Sequence, residues 1–231
     1  DAKQKLSVQV HPDDDYALSV EGEYGKTEMW YVMDCEEGAE LVYGFRENIS
    51  KEEFERRISD GIFLEYAMYN GNYYGTPKDK IVDKLNQGID VILDLAINHS
   101  AKNNEWFTRF AEAHKNDSAG DPYYDIYSWA TLENRTPGVA YSKIPGSDEY
   151  YECNFSTEMP ELNFDNPVVR EEMVKVAKYY LDLGIDGFRF DAVKYIYFNN
   201  TEKSVEFWKW YMDELKAIKP DIYCVGECWS G

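Results

Sequence analysis

The sequence lacks an excess of positive charge and has no long apolar run. Its 231 residues include 24 Lys and Arg against 44 Asp and Glu, which gives a formal net charge of −20 at pH 7. Such a chain has no basic patch to neutralise phosphate groups, so nucleic acid and anionic membrane surfaces are not expected as partners. No apolar run reaches the roughly 18 residues that a membrane-spanning helix requires. We therefore expect no contact with a membrane.

Cysteine is scarce as well, with only four residues in the chain. They are too scattered for a disulfide framework, and Cys224-x-x-x-Cys228 has no partner pair at the spacing of a zinc site. We predict that all four are free and buried: Cys35, Cys153, Cys224 and Cys228. The sequence begins with Asp rather than Met, which suggests a truncated N-terminus and is compatible with a lost signal peptide. The sequence does not determine where the protein is located, and we favour the cytoplasm.

The chain does contain enough apolar residues for a folded core, since 44% of them are hydrophobic and 16% are aromatic. Three apolar stretches alternate with helical segments and end in polar groups; they cover residues 90–97, 185–190 and 223–226. This alternation predicts an α/β fold with parallel strands, either a (β/α) barrel or a doubly wound sheet. In both architectures the carboxyl ends of the strands bring functional side chains together.

Candidate functional residues lie at the ends of these three strands. In Gly187-Phe188-Arg189-Phe190-Asp191, the alternation of a strand places Arg189 and Asp191 on the same face. The guanidinium can then hold the carboxylate ionised and aimed. The other two strands each contribute a carboxylate, Asp94 and Glu227. The group is typical of an active site, and the alternative is a structural ion pair that caps a strand.

Four segments, in this order, resemble signature regions of the α-amylase family of glycoside hydrolases: Asp94-x-x-x-Asn98-His99, Met159-Pro160-Glu161-Leu162-Asn163, Gly187-Phe188-Arg189-Phe190-Asp191-Ala192-x-Lys194 and Val225-Gly226-Glu227. The resemblance covers about residues 90–231. It implies a partial (β/α)₈ barrel with a long excursion after one strand, in which residues 100–165 form an irregular subdomain. The implied substrate is an α-glucan or maltooligosaccharide.

The resemblance also implies roles for the polar residues at the strand ends. Asp191 is expected to be the nucleophile and Glu227 the general acid/base of a retaining glycoside hydrolase, a mechanism that needs two carboxyl groups about 5 Å apart. Arg189 is expected to orient Asp191, and Asp94 to lie beside Arg189 and bind substrate.

Further residues of these segments are expected to bind sugar or metal. By the same resemblance, His99 and Lys194 contact the substrate, and Asn98 helps to bind a structural calcium ion. Two positions depart from the family pattern, because Tyr195 replaces a histidine and Glu161 replaces an aspartate.

One signature region of the family has no counterpart in the sequence. The Asn-His-Asp region, which supplies a third catalytic carboxylate, follows the acid/base residue in the family, whereas this sequence ends at Gly231. A (β/α)₈ barrel takes about 250 residues, and the segment that resembles it is much shorter. We therefore expect an incomplete barrel, and no sugar release by the isolated chain above background.

The N-terminal part resembles a different family. Alternating strands and the segments Leu6 to Asp14 and Gly25 to Val32 resemble the metal-binding core of zinc-dependent mannose-6-phosphate isomerases, which are cupins, over about residues 5–60. A β-rich cupin-like fragment is therefore predicted for residues 1–60. The resemblance implies zinc ligands at Gln9, His11 and Glu28, and at most weak zinc binding because a fourth ligand is missing.

Residues from about 50 to 94 resemble the GMP-binding segment of guanylate kinases. The resemblance implies that Glu65 meets the guanine and Tyr74 the phosphate, and we place this segment at residues 61–89. The Walker loop and the phosphate-binding arginines of that family are absent from the sequence, so no phosphoryl transfer is expected. The alternative role is a tyrosine-rich packed turn.

Three hypotheses for the whole chain follow. The first is an α-amylase-type hydrolase over residues 90–231. The second is a chimera of three enzyme fragments without catalytic function, and the third is a fragment of a zinc-dependent isomerase.

Overall fold

The computed structural model describes residues 18–19, 49–69 and 72–228 of the chain. These residues belong to two compact units, which comprise residues 1–76 and 77–231. The predicted zinc ligands lie outside the described residues, and so do the β-strands of the predicted cupin-like fragment: Gln9, His11 and Glu28 are the ligands concerned. The predictions for this part of the chain therefore stay predictions.

The first unit contains a helix and a β-hairpin. Helix α1 covers Lys51–Ser59, and the Ser50 side chain caps it by accepting a hydrogen bond from the backbone N–H of Glu53. Strands β1 (Phe63–Tyr69) and β2 (Asn72–Pro77) form a two-stranded sheet. The tyrosine-rich segment, for which a packed turn was one prediction, therefore forms two extended strands, and the two residues between them lie outside the described ranges.

The second unit is built on a parallel sheet of three strands. It begins with α2, Lys78–Asn86, and its strands are β3 (Ile92–Leu95), β7 (Gly187–Phe190) and β8 (Tyr223–Gly226). The spatial order is β3-β7-β8, so the strand that carries Arg189 is central. Every connection between parallel strands crosses over, and helices occur in these crossovers.

Two long helices provide most of the apolar cover. Helix α4 spans Pro167–Asp182 and begins with Asn166 as its cap, while α5 spans Thr201–Ile218. They bury a common set of side chains against the sheet and each other: Val169, Met173, Ala177, Phe207, Tyr211 and Leu215. The tryptophans of α5 join this packing, since the indole of Trp208 lies 4.9 Å from the ring of Phe190.

The excursion between β3 and β7 contains a helix and a small sheet. The helix is α3 (Glu105–Lys115), and the sheet has three antiparallel strands in the order β4-β6-β5. These strands are Trp129–Ala130, Tyr141–Lys143 and Tyr150–Glu152. The sequence does not predict them, because strands of two or three residues are too short to show an alternating pattern.

Strand β8 lies at an edge of the sheet and is poorly covered. Tyr223 and Val225 are 61% and 41% exposed. Cys153, Cys224 and Cys228, the cysteines in the described part of the chain, are free. The prediction that all cysteines are buried is confirmed for Cys153 and wrong for the other two, because half-buried Cys224 lies on this edge strand and exposed Cys228 follows it. Among the described residues, no helix has the length and apolar character to cross a bilayer.

Candidate active site

The register of the parallel sheet brings the predicted site residues to one edge. Asp94 on β3 is paired with Arg189 on β7, and Arg189 is paired with Val225 on β8. Asp191 follows the last residue of β7, and Glu227 follows the last residue of β8. The carboxyl ends of three parallel strands therefore present one arginine and three carboxylates together.

Arg189 forms ion pairs with all three carboxylates. Its Nη1 lies 2.6 Å from Asp94 Oδ2 and 3.0 Å from Asp191 Oδ1, and its Nη2 lies 2.7 Å from Glu227 Oε1. The Arg189, Asp191 and Glu227 side chains are about 30% exposed, and Asp94 is 62% exposed. The cluster is open to solvent on the Asp94 side, as a substrate-accessible site must be.

Backbone contacts fix the position of Glu227 relative to β7. The N–H of Glu227 donates to the carbonyl of Phe190 at 2.8 Å, and the N–H of Val193 donates to the carbonyl of Glu227 at 3.1 Å. The preceding residue must be glycine for this approach, since a Cβ on Gly226 would lie 2.8 Å from a Val193 methyl group.

The residue after Asp191 has an unusual backbone conformation. Ala192 is buried and has φ 49° and ψ 43°, in the left-handed region that residues with a Cβ rarely adopt. Such strain persists only where the surrounding structure enforces it, and it occurs often at functional sites. Here it turns the chain sharply from β7 into the 3₁₀ turn Val193–Tyr195.

The pKa values of the two neighbouring carboxyls shift in opposite directions. Burial, followed by the contact with Glu227, raises the pKa of Asp191, while the contact with Asp191 lowers the pKa of Glu227. Glu227 Oε2 is buried and has no hydrogen-bond partner among the described residues. The surroundings therefore favour a proton on Asp191 over a proton on Glu227.

Asn98 and His99 lie just beyond β3 and are largely buried. The Asn98 side-chain N–H donates to the backbone carbonyl of Tyr195 at 3.1 Å, and Asn98 Oδ1 has no hydrogen-bond partner within the part of the chain described. His99 Nδ1 is also buried without a partner in that part, and burial lowers the pKa of His99. The His99 ring is therefore neutral at pH 7 and retains an unused ring nitrogen.

Comparison with known proteins decides how this cluster is to be interpreted. The sequence matches the alpha amylase catalytic domain over residues 69–231.

The chain belongs to the α-amylase family.

Relatives in this family share the matched region. The chain is 42% identical over 161 residues to alpha-amylase 3 of Dictyoglomus thermophilum, which is 68% of this chain and 30% of the relative. It is 36% identical over 138 residues to a 4-alpha-glucanotransferase of Thermotoga maritima, covering 57% of this chain and 30% of that protein. The solved structure of Eubacterium rectale Amy13B matches with a TM-score of 0.60 at 37% identity, over 65% of this chain and 29% of that one.

These matches confirm the fold predicted from the sequence. The second unit is a partial (β/α)₈ barrel of α-amylase type, and its three parallel strands do not close a barrel within the described residues. The chain spans about 30% of the length of the two sequence relatives. The family match begins at residue 69 and so includes part of the segment at residues 61–89, whose relation to guanylate kinases stays a prediction.

The α-amylase-type cluster contains some of the predicted site residues and not others. Lys194 is exposed in the 3₁₀ turn after β7. Glu65 and Tyr74 belong to the hairpin of the first unit, where Thr76 donates a hydrogen bond to Glu65 and Tyr74 is 57% exposed. The nucleotide-binding role of this pair stays a prediction.

His114, to which the sequence analysis assigned no role, is a packing residue of the excursion. Its Nδ1 forms a short contact with Glu149 Oε2, and its Nε2 lies 2.9 Å from the carbonyl oxygen of Tyr124. The ring also stacks on that of Tyr124, with 3.9 Å between the centroids. This contact between His114 and Glu149 joins α3 to the loop before β6.

Glu161, where the family has aspartate, is a buried carboxyl close to His99. It is 4% exposed, and the two residues form an isolated antiparallel β-bridge. The backbone N–H of Asn154 donates to Glu161 Oε1 at 2.9 Å, but burial prevails and raises the pKa of Glu161 to about 7. Sequence analysis noted the substitution but missed the burial, which depends on the sheet of the excursion.

Replacing Glu161 with glutamine is expected to stabilise the chain at pH 8. Because the folded-state pKa of about 7 exceeds the usual 4.5, the unfolded chain binds fewer protons between these values, and stability falls as pH rises through them. Glutamine keeps the acceptor for Asn154 and has no charge to bury. In urea unfolding, the free energy of unfolding of the variant should exceed that of the parent by about 1–3 kcal/mol at pH 8 and differ little at pH 5.

The matched control is Glu158→Gln, which removes a carboxylate that is 63% exposed and belongs to the same loop. It should show no such dependence on pH. Equal stability of the parent and Glu161→Gln at pH 8 would contradict the assignment of a buried carboxyl that is charged at this pH.

Proposed function

We propose that this chain supplies the catalytic carboxylates of a retaining enzyme that cleaves α-glycosidic bonds in α-glucans and maltooligosaccharides. The observation that carries the proposal is the contact of Arg189 with carboxylates from three strand ends: Asp94, Asp191 and Glu227. A structural ion pair needs one acid, whereas two neighbouring carboxyls that both contact one arginine can serve as the acid and the nucleophile of this chemistry. The relatives are named as α-glucan-active enzymes.

In the proposed reaction, the Asp191 carboxylate attacks the anomeric carbon of a glucosyl unit. Glu227 donates its proton to the leaving glycosidic oxygen, so that the bond breaks and a glycosyl ester forms on Asp191. Glu227 then takes a proton from water, the water oxygen attacks the anomeric carbon, and Asp191 leaves as a carboxylate. Two inversions give net retention of configuration.

The proposed first step needs a charged Asp191 and a protonated Glu227. Without substrate, the pKa of Asp191 is raised and that of Glu227 is lowered, which favours the opposite arrangement. A sugar placed between the two carboxyls would separate them. Asp191 would keep its contact with Arg189 Nη1 at 3.0 Å, which favours the ionised form. The titration of such a pair belongs to both groups together, so one proton serves both arrangements.

Sugar hydroxyls have suitable partners around the cluster. Asp94 is the most exposed of the three carboxylates, and His99 offers a neutral ring nitrogen that lacks a partner among the described residues. Lys194 is close in sequence to the nucleophile and exposed. We assign these three residues to substrate binding in this proposal, together with the orienting role of Arg189.

A calcium ion is part of the proposal because of the buried oxygen of Asn98. Amide oxygens are common calcium ligands, and Asn98 Oδ1 has no other partner in the described ranges. No group of three or more acidic, cysteine or histidine side chains in those ranges could hold a metal, so other ligands would be backbone oxygens and water. A calcium-dependent rise in Tm that Asn98→Ala does not remove would refute this assignment.

Completing the barrel tests the proposed function. Residues 69–231 would replace the matching segment of the Dictyoglomus thermophilum relative. The resulting hybrid protein, called the completed barrel below, would be incubated with maltooligosaccharides. We expect release of reducing sugar with the α-anomer formed first, as seen by proton NMR, because retention follows from the double displacement. The chain alone should stay at background, since three open strands do not hold the pair to within about 0.5 Å.

Two outcomes would contradict the proposal. A β-anomer as first product would exclude Asp191 as a covalent nucleophile. If the completed barrel folds but is inactive, while the unmodified relative is active in the same assay, the result would favour the alternative of a non-catalytic chimera.

A further inference from the structure

Trp208 on α5 reaches the end of β7, where the proposed nucleophile lies. Its indole lies 4.9 Å from the ring of Phe190, the last residue of that strand. Its N–H donates to the backbone carbonyl of Val193 at 2.8 Å. Asp191 and Ala192 are the two residues between these contacts. One side chain of the helix layer therefore contacts the chain on both sides of the nucleophile.

The two residues that Trp208 contacts are also backbone partners of Glu227. The N–H of Glu227 donates to the carbonyl of Phe190 at 2.8 Å, and the N–H of Val193 donates to the carbonyl of Glu227 at 3.1 Å. Trp208 is thus connected to the proposed acid/base residue through Phe190 and through Val193, although it belongs to a different layer of the fold.

The turn between these contacts depends on support from its surroundings. Ala192 is buried and has φ 49° and ψ 43°, a conformation that costs free energy for a residue with a Cβ. Such a conformation persists only where the neighbouring structure enforces it. The hydrogen bond from Trp208 contributes to this support, because it holds the residue that follows Ala192.

The indole that provides this support is itself held by the core. Its ring packs edge-on against the rings of Phe207 and Tyr211, with 5.3 Å and 6.1 Å between the centroids. Both of these side chains are fully buried. A side chain that packing locks in place can hold a site more precisely than a mobile one.

We propose that Trp208 is a positioning residue for Glu227, which it keeps beside Asp191 through its contacts with Phe190 and Val193. In the double displacement both carboxyls act on the same glycosidic bond, so a small displacement of one of them costs a large part of the rate. Trp208 does not touch the substrate in this proposal. The inference rests on the proposed function, because it assigns a support to the acid/base residue of that reaction.

The first test uses the complete 231-residue chain. Trp208→Phe keeps a ring next to Phe190 and removes the N–H donor. Burial and then the contact with Glu227 raise the pKa of Asp191, and the contact with Asp191 lowers that of Glu227. When the two carboxyls move apart, carbon-13 NMR titration should show the pKa of Asp191 lower, and that of Glu227 higher, by about 0.5 or more. A merely structural tryptophan would change the Tm and leave both pKa values as they are.

The second test compares two leaving groups in the completed barrel. The glycosidic oxygen of a maltooligosaccharide needs the proton of Glu227, whereas the fluoride of α-maltosyl fluoride leaves with little help from an acid. Trp208→Phe should therefore lower kcat/KM about tenfold for the maltooligosaccharide and less than about threefold for the fluoride. An equal loss for both substrates would overturn the proposal.

The matched control is Trp210→Phe, the same change two residues further along α5. The ring of Trp210 contacts Phe207 and the guanidinium of Arg170. This variant should leave the pKa values of both carboxyls unchanged and the rates within about twofold. If circular dichroism shows that Trp208→Phe does not fold, β-(3-benzothienyl)alanine in place of Trp208 takes its role in both tests, because it keeps two fused rings and has sulfur instead of the N–H.

The titration also separates this inference from the proposed function. Unchanged pKa values of Asp191 and Glu227 in a folded variant at position 208 would refute the positioning role, even if the completed barrel is active. A completed barrel without activity would refute the proposed function, while shifted pKa values in the complete chain would still support the role of Trp208 in holding Glu227.

Discussion

Asp191→Asn in the completed barrel is expected to lower the release of reducing sugar by about 10³-fold or more, because the covalent step loses its nucleophile. The amide is almost the same size as the carboxylate, so the packing of β7 should not change. The contact with Arg189 Nη1 at 3.0 Å becomes a weaker hydrogen bond to a neutral group. The KM for maltooligosaccharides should change much less than kcat.

The control for this variant is Asp148→Asn. Asp148 is fully exposed in the excursion and forms an ion pair with Lys143 at 2.9 Å, remote in sequence from the strand ends. Its replacement should leave the rate within about twofold, as for most surface substitutions. If Asp191→Asn retains more than about a tenth of the parent rate, another group performs the displacement and the roles in the carboxyl pair must be revised.

Gly187→Ala is expected to have the largest effect on stability. A Cβ at this position would lie 1.6 Å from the carbonyl oxygen of Tyr223, a backbone atom of the neighbouring strand. The pairing of β7 and β8 begins at these two residues, so the strands would have to separate. We expect the free energy of unfolding, measured with urea, to fall by about 3 kcal/mol or more. Glu227 would move with β8, and activity in the completed barrel would fall as well.

Gly120→Ala is the matched control for that substitution. Gly120 is in an exposed turn, and a Cβ there meets no described atom within 4 Å. The same change from glycine to alanine should therefore be nearly neutral or slightly stabilising. A Gly187→Ala variant as stable as Gly120→Ala would show that β8 does not pair with β7 in this register.

The arrangement of Arg189 and its three carboxylates was predictable because it depends on strand alternation and on the convergence of parallel strands. Strand alternation put Arg189 and Asp191 on one face, and their contact at 3.0 Å is what that alternation requires. The assignment of Asp94 and Glu227 to the same edge followed from the convergence of parallel strands at their carboxyl ends. The ion pairs of Arg189 with both residues agree with it.

Features that depend on long-range packing were not predictable. The buried Glu161 lies in a polar-looking segment, and its backbone N–H donates to the carbonyl of Glu152 on β6. The contact of His114 with Glu149 joins residues 35 positions apart, with no periodic pattern between them. The ring contacts of Phe155 with His99 and Tyr195 likewise join three segments, whose relation depends on how the excursion folds back onto the sheet.

The central claim is that Asp191 forms a covalent bond to the substrate, and intermediate trapping tests it most directly. The completed barrel would be treated with an activated 5-fluoro-α-glucosyl fluoride, digested at low pH and examined by mass spectrometry. We predict one glucosyl adduct, on the peptide that contains Asp191, and none in the Asp191→Asn variant. An adduct on the peptide that contains Glu227, or turnover without any adduct on Asp191, would contradict the account.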